Sequence, residues 1–263
     1  MASTLADSAL TDHSAKSDDD DEEESFDHVL EEFSALPSSP IAKRRSCDSC
    51  GRPIKVCICS AFPKERLKIS TNVIIMQHPC EESKVLRTVP ILSSCLAEDK
   101  CKVVIGRRFS SVRHPDLASI CSDDSSLLLF PGADAVDIQT IPVTDRSEPY
   151  NLILLDGTWP QAKGLYAKNK MLHSVKKVQL QDVGLSEYVI RTQPSKMSLS
   201  TCESAAIALS ILERDTDIHE VLVKPLRALC NYQLQHGAVA HHHKEDPALP
   251  EKKKTYKNRL KNR

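Results

Sequence analysis

Asp156, Gly157, Thr158 and Trp159 stand together where the apolar run 151–155 ends, and Trp159 is the only tryptophan in the chain. A carboxylate at such a place is a candidate general base. The run reads as a buried parallel strand, and open α/β sheets bind their ligands outside the carboxyl ends of the strands. Gly157 permits a tight turn, Thr158 can cap the helix that follows, and Pro160 suits its first turn, so Asp156 and Trp159 sit on rigid backbone. A lone tryptophan is commonly a core residue. Beside a carboxylate on a strand-to-helix turn it also offers a flat surface to a base or a cation.

Cys47-x2-Cys50 followed by Cys57-x-Cys59 packs four thiols into thirteen residues, with Gly51, Arg52 and Pro53 turning the chain between the pairs. Four thiolates this close suit a closed tetrahedral zinc site, which would order a loop too polar to fold alone. The second pair is spaced more tightly than usual, so an iron–sulfur ligand set or unliganded thiols are the competing readings. The other six cysteines lie in apolar or helical contexts, where a thiol behaves as a small hydrophobe, and they are assigned no chemistry.

Three further groups suit anions or a strand-end pocket. Gln77-His78-Pro79 ends an apolar run, with Lys84, Arg87 and Thr88 following; His78 alone is more often structural than catalytic. Arg107 and Arg108 open a basic cluster that also holds Arg113 and His114. Phe130-Pro131-Gly132 ends another run, and Arg191 precedes Ser200-Thr201-Cys202-Glu203. Ser200 and Glu203 have capping-box spacing, which explains both residues structurally, while the helix terminus they cap also attracts a carboxylate.

Runs at 71–76, 102–105, 126–130, 152–155, 175–180 and 188–190 read as strands. The segments 83–96, 159–172, 201–213 and 218–236 have helical apolar spacing. Their alternation predicts an α/β fold with a mainly parallel sheet and flanking helices. Residues 1–40 hold twelve acidic side chains against Lys16 alone, a charge of −11, so the remaining 223 residues carry +10 of the total −1. The expected organisation is an acidic disordered tail over 1–42, a four-cysteine knuckle over 43–65, a catalytic domain over 66–238 and a basic flexible tail over 239–263. The basic domain points to a polyanionic partner, and no run is long enough to span a membrane. Nothing in the sequence speaks to oligomeric state.

The ordered motifs from Cys47 to about Gln235 resemble those of the DTW-domain proteins, tRNA-uridine aminocarboxypropyltransferases named for an Asp-x-Thr-Trp motif, and are closest to the eukaryotic type 2 branch of that family. The resemblance rests on Cys47-x2-Cys50-x-Arg52-Pro53 with Cys57-x-Cys59, on Gln77-His78-Pro79, and on Arg87-Thr88-Val89-Pro90. It continues through Gly106-Arg107-Arg108-Phe109 and Asp156-x-Thr158-Trp159 to Ser200-Thr201-x-Glu203-x-Ala205. It implies a SPOUT-like fold with a knotted C-terminal half, S-adenosylmethionine as co-substrate, structural Zn2+ on Cys47, Cys50, Cys57 and Cys59, and tRNA as partner. On matching positions it implies catalytic roles for Asp156, Thr158 and Trp159. Cofactor contacts then fall to Phe130, Gly132, Leu155, Gly157, Arg191, Ser200, Thr201 and Glu203, and RNA contacts to His78, Arg87, Arg107, Arg108 and Lys163.

The reaction so implied moves the 3-amino-3-carboxypropyl group to uridine N3 and releases methylthioadenosine. Asp156 takes the N3 proton, and Trp159 faces either the uracil or the sulfonium. A knotted RNA methyltransferase would use the same donor but yield S-adenosylhomocysteine. A zinc-bearing RNA-binding adaptor would account for the charge and the thiols but leaves the Asp156–Trp159 turn unexplained. An RNA-modifying enzyme of this kind is expected in the cytoplasm or the nucleus, with a basic C-terminus suited to RNA or to nuclear import.

Overall fold

Alternation along the strands decides which layer each apolar side chain feeds. The computed structural model describes residues 45–143, 148–181, 183–191 and 198–241. The acidic segment 1–42 and nearly all of the basic segment 239–263 lie outside the described residues.

Six strands form one sheet: β1 (Asn72–Gln77), β2 (Cys101–Ile105), β3 (Ser126–Leu129), β4 (Val136–Asp137), β5 (Asn151–Asp156) and β6 (Lys176–Gln179). Their order is β2-β1-β5-β3-β6-β4 and every pairing is parallel. Parallel neighbours need crossovers, and helices supply most of them. These are α1 (Pro79–Glu82), α2 (Val89–Cys95), α3 (Pro115–Cys121), α4 (Trp159–Lys168), α5 (Thr201–Glu213) and α6 (Asp217–Gln235).

Val73 and Ile75 of β1, with Leu152 and Leu154 of β5, turn to a core shared with α2, α5 and α6. Ile74, Met76 and Ile153 turn the other way, to a core shared with α3 and α4. The strands are therefore apolar on both faces, and the parallel α/β reading holds. Among the described residues, no helix is long and apolar enough to cross a membrane.

Three expectations about elements change. The helix expected over 83–96 is confined to α2, Val89–Cys95, because Pro90 cannot lie in a helix interior. There its ring would clash with the carbonyl of Leu86, so α2 starts beside it instead. The freed Leu86 carbonyl accepts from the Tyr188 hydroxyl. The run 188–190 is a turn and not a strand; Tyr188 and Ile190 are buried, Val189 is half-buried, and Val189 N–H donates to the Glu187 carbonyl. The helix expected over 159–172 stops at Lys168, where the buried Asn169 amide donates to the Leu165 carbonyl at 2.7 Å and its Oδ1 accepts from Phe109 N–H at 2.6 Å. The short elements α3 and β4 carry too little periodicity to be expected from sequence.

Candidate active site and four-thiol centre

The register of the sheet brings Gln77 of β1 directly beside Asp156 of β5. The Gln77 amide donates to Asp156 Oδ2 at 2.8 Å, and Thr201 Oγ1, in the first turn of α5, donates to Oδ1 at 2.6 Å. Asp156 is thereby fixed at the junction of β1, β5 and α5, with only 7% of its surface exposed. Burial pushes its carboxyl above the usual range, against the two hydrogen bonds that favour the charged form.

Gly157 is required here by crowding and not by a left-handed backbone. A Cβ at this position would lie 3.0 Å from Gln161 Cβ and 3.5 Å from His78 Cβ. Gln161 Oε1 accepts from Thr158 N–H at 2.7 Å, closing the turn into α4. That leaves Trp159 at the head of the helix, outside both cores and 39% exposed, with its ring 6.1 Å from that of Phe130.

A cleft of about 610 Å³ opens over these strand ends. Of the residues singled out from sequence, Asp156, Thr158, Trp159, Phe130, Leu155, Gly157, Arg191, Ser200, Thr201 and Arg87 line it. Gly132 lies just outside the wall, where its neighbour Pro131 takes part instead. Glu203 is buried beneath the wall. Its carboxylate accepts from Ser200 N–H at 2.8 Å, Glu187 N–H at 2.6 Å and the Ser186 hydroxyl at 2.9 Å, while Ser200 Oγ accepts from Glu203 N–H at 3.3 Å. The capping box is thus formed, and it ties the 186–188 turn to α5. His78 stands outside the cleft, its Nδ1 accepting from Cys80 N–H at 3.2 Å and its ring's proton affinity lowered by burial and by Arg107. Arg107, Arg108 and Lys163 are exposed outside the cleft.

Three residues of the site, two on the cleft wall and one that holds Asp156 from behind it, escaped the sequence reading. Gln77 sits inside a quoted motif, and only strand register reveals its pairing with Asp156. Glu81 lines the cleft, 4% exposed, and is paired with Lys84 at 2.5 Å; a single acidic residue in a four-residue helix has no pattern to betray it. Tyr188 belongs to the run 188–190 expected as a strand, and its hydroxyl is driven up to about 12 by burial. The cleft therefore carries both the acids Glu81 and Asp156 and the cations Arg87 and Arg191, so it suits a ligand bearing both charges.

The four thiols also come together. Their sulfurs lie within 4.8 Å of one another, with Cys47 Sγ 3.6 Å from Cys59 Sγ and Cys50 Sγ 3.7 Å from Cys57 Sγ. Tetrahedral ligands at about 2.3 Å from zinc stand roughly 3.8 Å apart, so the group has the dimensions of a zinc site. The ligand chemistry fits as well: the buried Nε of Arg52 has no hydrogen-bond partner, and its cation interacts with Cys50 and Cys57, where it favours a negatively charged thiolate cluster. Ile58, between the second pair, is buried in the core that holds α6. By contrast, Cys95, Cys121, Cys202 and Cys230 are buried with thiols held protonated by burial.

The chain is also similar in sequence to known proteins. The chain is 49% identical over 224 residues to tRNA-uridine aminocarboxypropyltransferase 2 of Macaca fascicularis, covering 85% of this chain and 72% of that protein. It is 50% identical over 203 residues to the Mus musculus protein of the same name, covering 77% and 68%, and 44% identical over 211 residues to that of Drosophila melanogaster, covering 80% and 83%. No solved structure matches the chain. The DTW-domain model matches residues 44–234, which include the four-thiol centre, the Asp156–Trp159 turn and the capped start of α5. The chain is a member of the DTW-domain family.

Proposed function

We propose that this protein is a tRNA-uridine aminocarboxypropyltransferase, using S-adenosylmethionine as donor and uridine N3 in tRNA as acceptor. One observation carries the reading: a buried carboxylate, aimed by Gln77 and Thr201 into a cleft of mixed charge, on a chain about half identical to proteins bearing that name. In the reaction a bond forms between N3 and the γ-carbon of the donor's amino acid chain as the bond from that carbon to sulfur breaks, and methylthioadenosine leaves.

Asp156 accepts the N3 proton. Its raised proton affinity makes it a stronger base than a surface carboxylate, and its two hydrogen bonds fix the oxygens before the base arrives. Arg191 and Arg87 hold the donor's carboxylate, and Glu81 faces its ammonium; the start of α5, with Ser200 and Thr201, adds a favourable dipole. Phe130, Leu155 and Gly157 form the wall against the adenosyl part, and Trp159 closes the mouth beside the uracil. Thr158 keeps the turn in place. Glu203 acts through the backbone it caps, and Gly132 through the loop that carries Phe130. His78, Arg107, Arg108 and Lys163 lie outside the cleft, on the route by which RNA reaches it.

Zn2+ on Cys47, Cys50, Cys57 and Cys59 serves structure, pinning the knuckle to α6 through Ile58. The family resemblance adds a SPOUT-like class with a knotted C-terminal half. The all-parallel sheet supports that class, as does the chain's return from β6 to the cleft through Tyr188 and Arg191. A tRNA substrate sets the protein's place in the cytoplasm or the nucleus.

Mass spectrometry of nucleosides from unmodified tRNA incubated with the protein and S-adenosylmethionine tests the reading. Aminocarboxypropyl-uridine with an equal amount of methylthioadenosine is expected. A methylated nucleoside with S-adenosylhomocysteine would replace it by methyl transfer.

A further inference from the structure

Trp159 is the first member of a series of rings that leads away from the cleft. Phe130 stands 6.1 Å from Trp159, Tyr166 stacks on Phe130 at 5.1 Å with planes 16° apart, and His173 lies 4.8 Å from Tyr166. Packing alone does not account for the series. Phe130 and Tyr166 rest with one side on the core of α3 and α4, yet both remain partly open, and the end members Trp159 and His173 are exposed. On α4, Trp159, Lys163 and Tyr166 follow at intervals of four and three residues, so they share one face of the helix. Lys163, Lys170 and Lys176 are exposed along the same stretch of chain, and Lys177 stands 5.1 Å from the centre of the Tyr166 ring.

Aromatic faces beside exposed lysines are the chemistry of a single-stranded nucleic-acid track, in which rings take the bases and cations take the phosphates. Here the track begins at the mouth of the cleft. We propose that the exposed rings at the two ends of this strip, Trp159 and His173, stack the unpaired nucleotides next to the target uridine, with the mutually stacked Phe130 and Tyr166 holding them in place, and so help decide which uridine enters. This rests on the proposed reaction for its choice of RNA, but its test reads binding and not product.

The test is the affinity of unmodified tRNA for His173→Ala and Tyr166→Leu, titrated at several salt concentrations, with Tyr166→Phe as the conservative control. Each truncation is expected to weaken tRNA binding about tenfold, the loss typical of one stacked base. The slope of affinity against salt should stay as in the wild type, because a ring contacts no phosphate. Tyr166→Phe should bind tRNA like the wild type, and S-adenosylmethionine affinity should be unchanged in Tyr166→Phe and His173→Ala, which shows that the cleft is intact. Wild-type tRNA affinity in both truncations would overturn the proposal, and so would a loss accompanied by a shallower salt slope, which signals phosphate contact. If the wild type binds tRNA yet forms no aminocarboxypropyl product, the proposed reaction fails, while the strip is still judged by these affinities.

Discussion

Replacing Glu203 by alanine should unfold part of the cleft wall without removing any ligand contact. Its carboxylate serves Ser200 N–H, Glu187 N–H and the Ser186 hydroxyl at 2.6–3.0 Å, and the residue is 3% exposed. A hydrogen bond to a charged group contributes about 1.5–3 kcal/mol, and loss of a cap interaction costs roughly 1 kcal/mol. Water entering the vacated space offsets part of this, so we expect a net loss of about 4 kcal/mol. For a chain of this size that lowers Tm by on the order of 8–16 °C. Urea unfolding followed by circular dichroism gives the stability, and calorimetry at 15 °C gives the affinity for S-adenosylmethionine. Glu203→Gln, which keeps one acceptor oxygen, should lose about half as much stability. The reasoning is refuted if Glu203→Ala is as stable as the wild type while its donor affinity falls more than about thirtyfold, for Glu203 would then be a direct ligand.

Glu213, at the end of α5, accepts from the backbone N–H groups of Ser70 at 2.9 Å and Thr71 at 2.7 Å, which tie it to the start of β1. Burial opposes its charge, but these donors win and hold its carboxyl below the usual 4.5. Its stabilisation is therefore complete above the unfolded-state value and disappears as pH falls through the lower folded value. Glu213→Gln should be less stable by about 1 kcal/mol at pH 7, with the gap closing in acid, as thermal melts across pH will show. Cys57→Ser should reduce bound zinc from one ion per chain, measured by elemental analysis, and lower Tm by several degrees because Ile58 loses its anchor. Arg191→Ala should weaken donor binding about tenfold or more in calorimetry, since a charge-assisted contact to a carboxylate is lost.

The two-faced strands were legible because a parallel sheet needs apolar residues on both sides, and the capping box was legible because Ser200 and Glu203 have only one spacing to satisfy. Asp156 was legible because a strand end followed by Gly157 and Thr158 sets a carboxylate on a turn. What holds it was not: Gln77 reaches Asp156 across 79 residues of sequence through strand register, and Thr201 across 45. Tyr188 misled because a short apolar run is buried equally well as a strand or as a turn packed on a helix. The break at Pro90 could have been seen in the sequence, since the proline excludes a helix continuing from residue 83. The Trp159–His173 strip could not, because its members come from the residue after β3, from α4 and from the turn after that helix.

The central claim is that Asp156 removes the N3 proton, and single-turnover transfer with Asp156→Asn tests it most directly. The asparagine keeps the shape and an acceptor oxygen but cannot take a proton at neutral pH. At saturating tRNA and S-adenosylmethionine we expect the rate of aminocarboxypropyl-uridine formation to fall by about 10²–10⁴, with donor affinity within a few fold of the wild type. A variant that transfers within about fivefold of the wild-type rate would show that Asp156 is not the base.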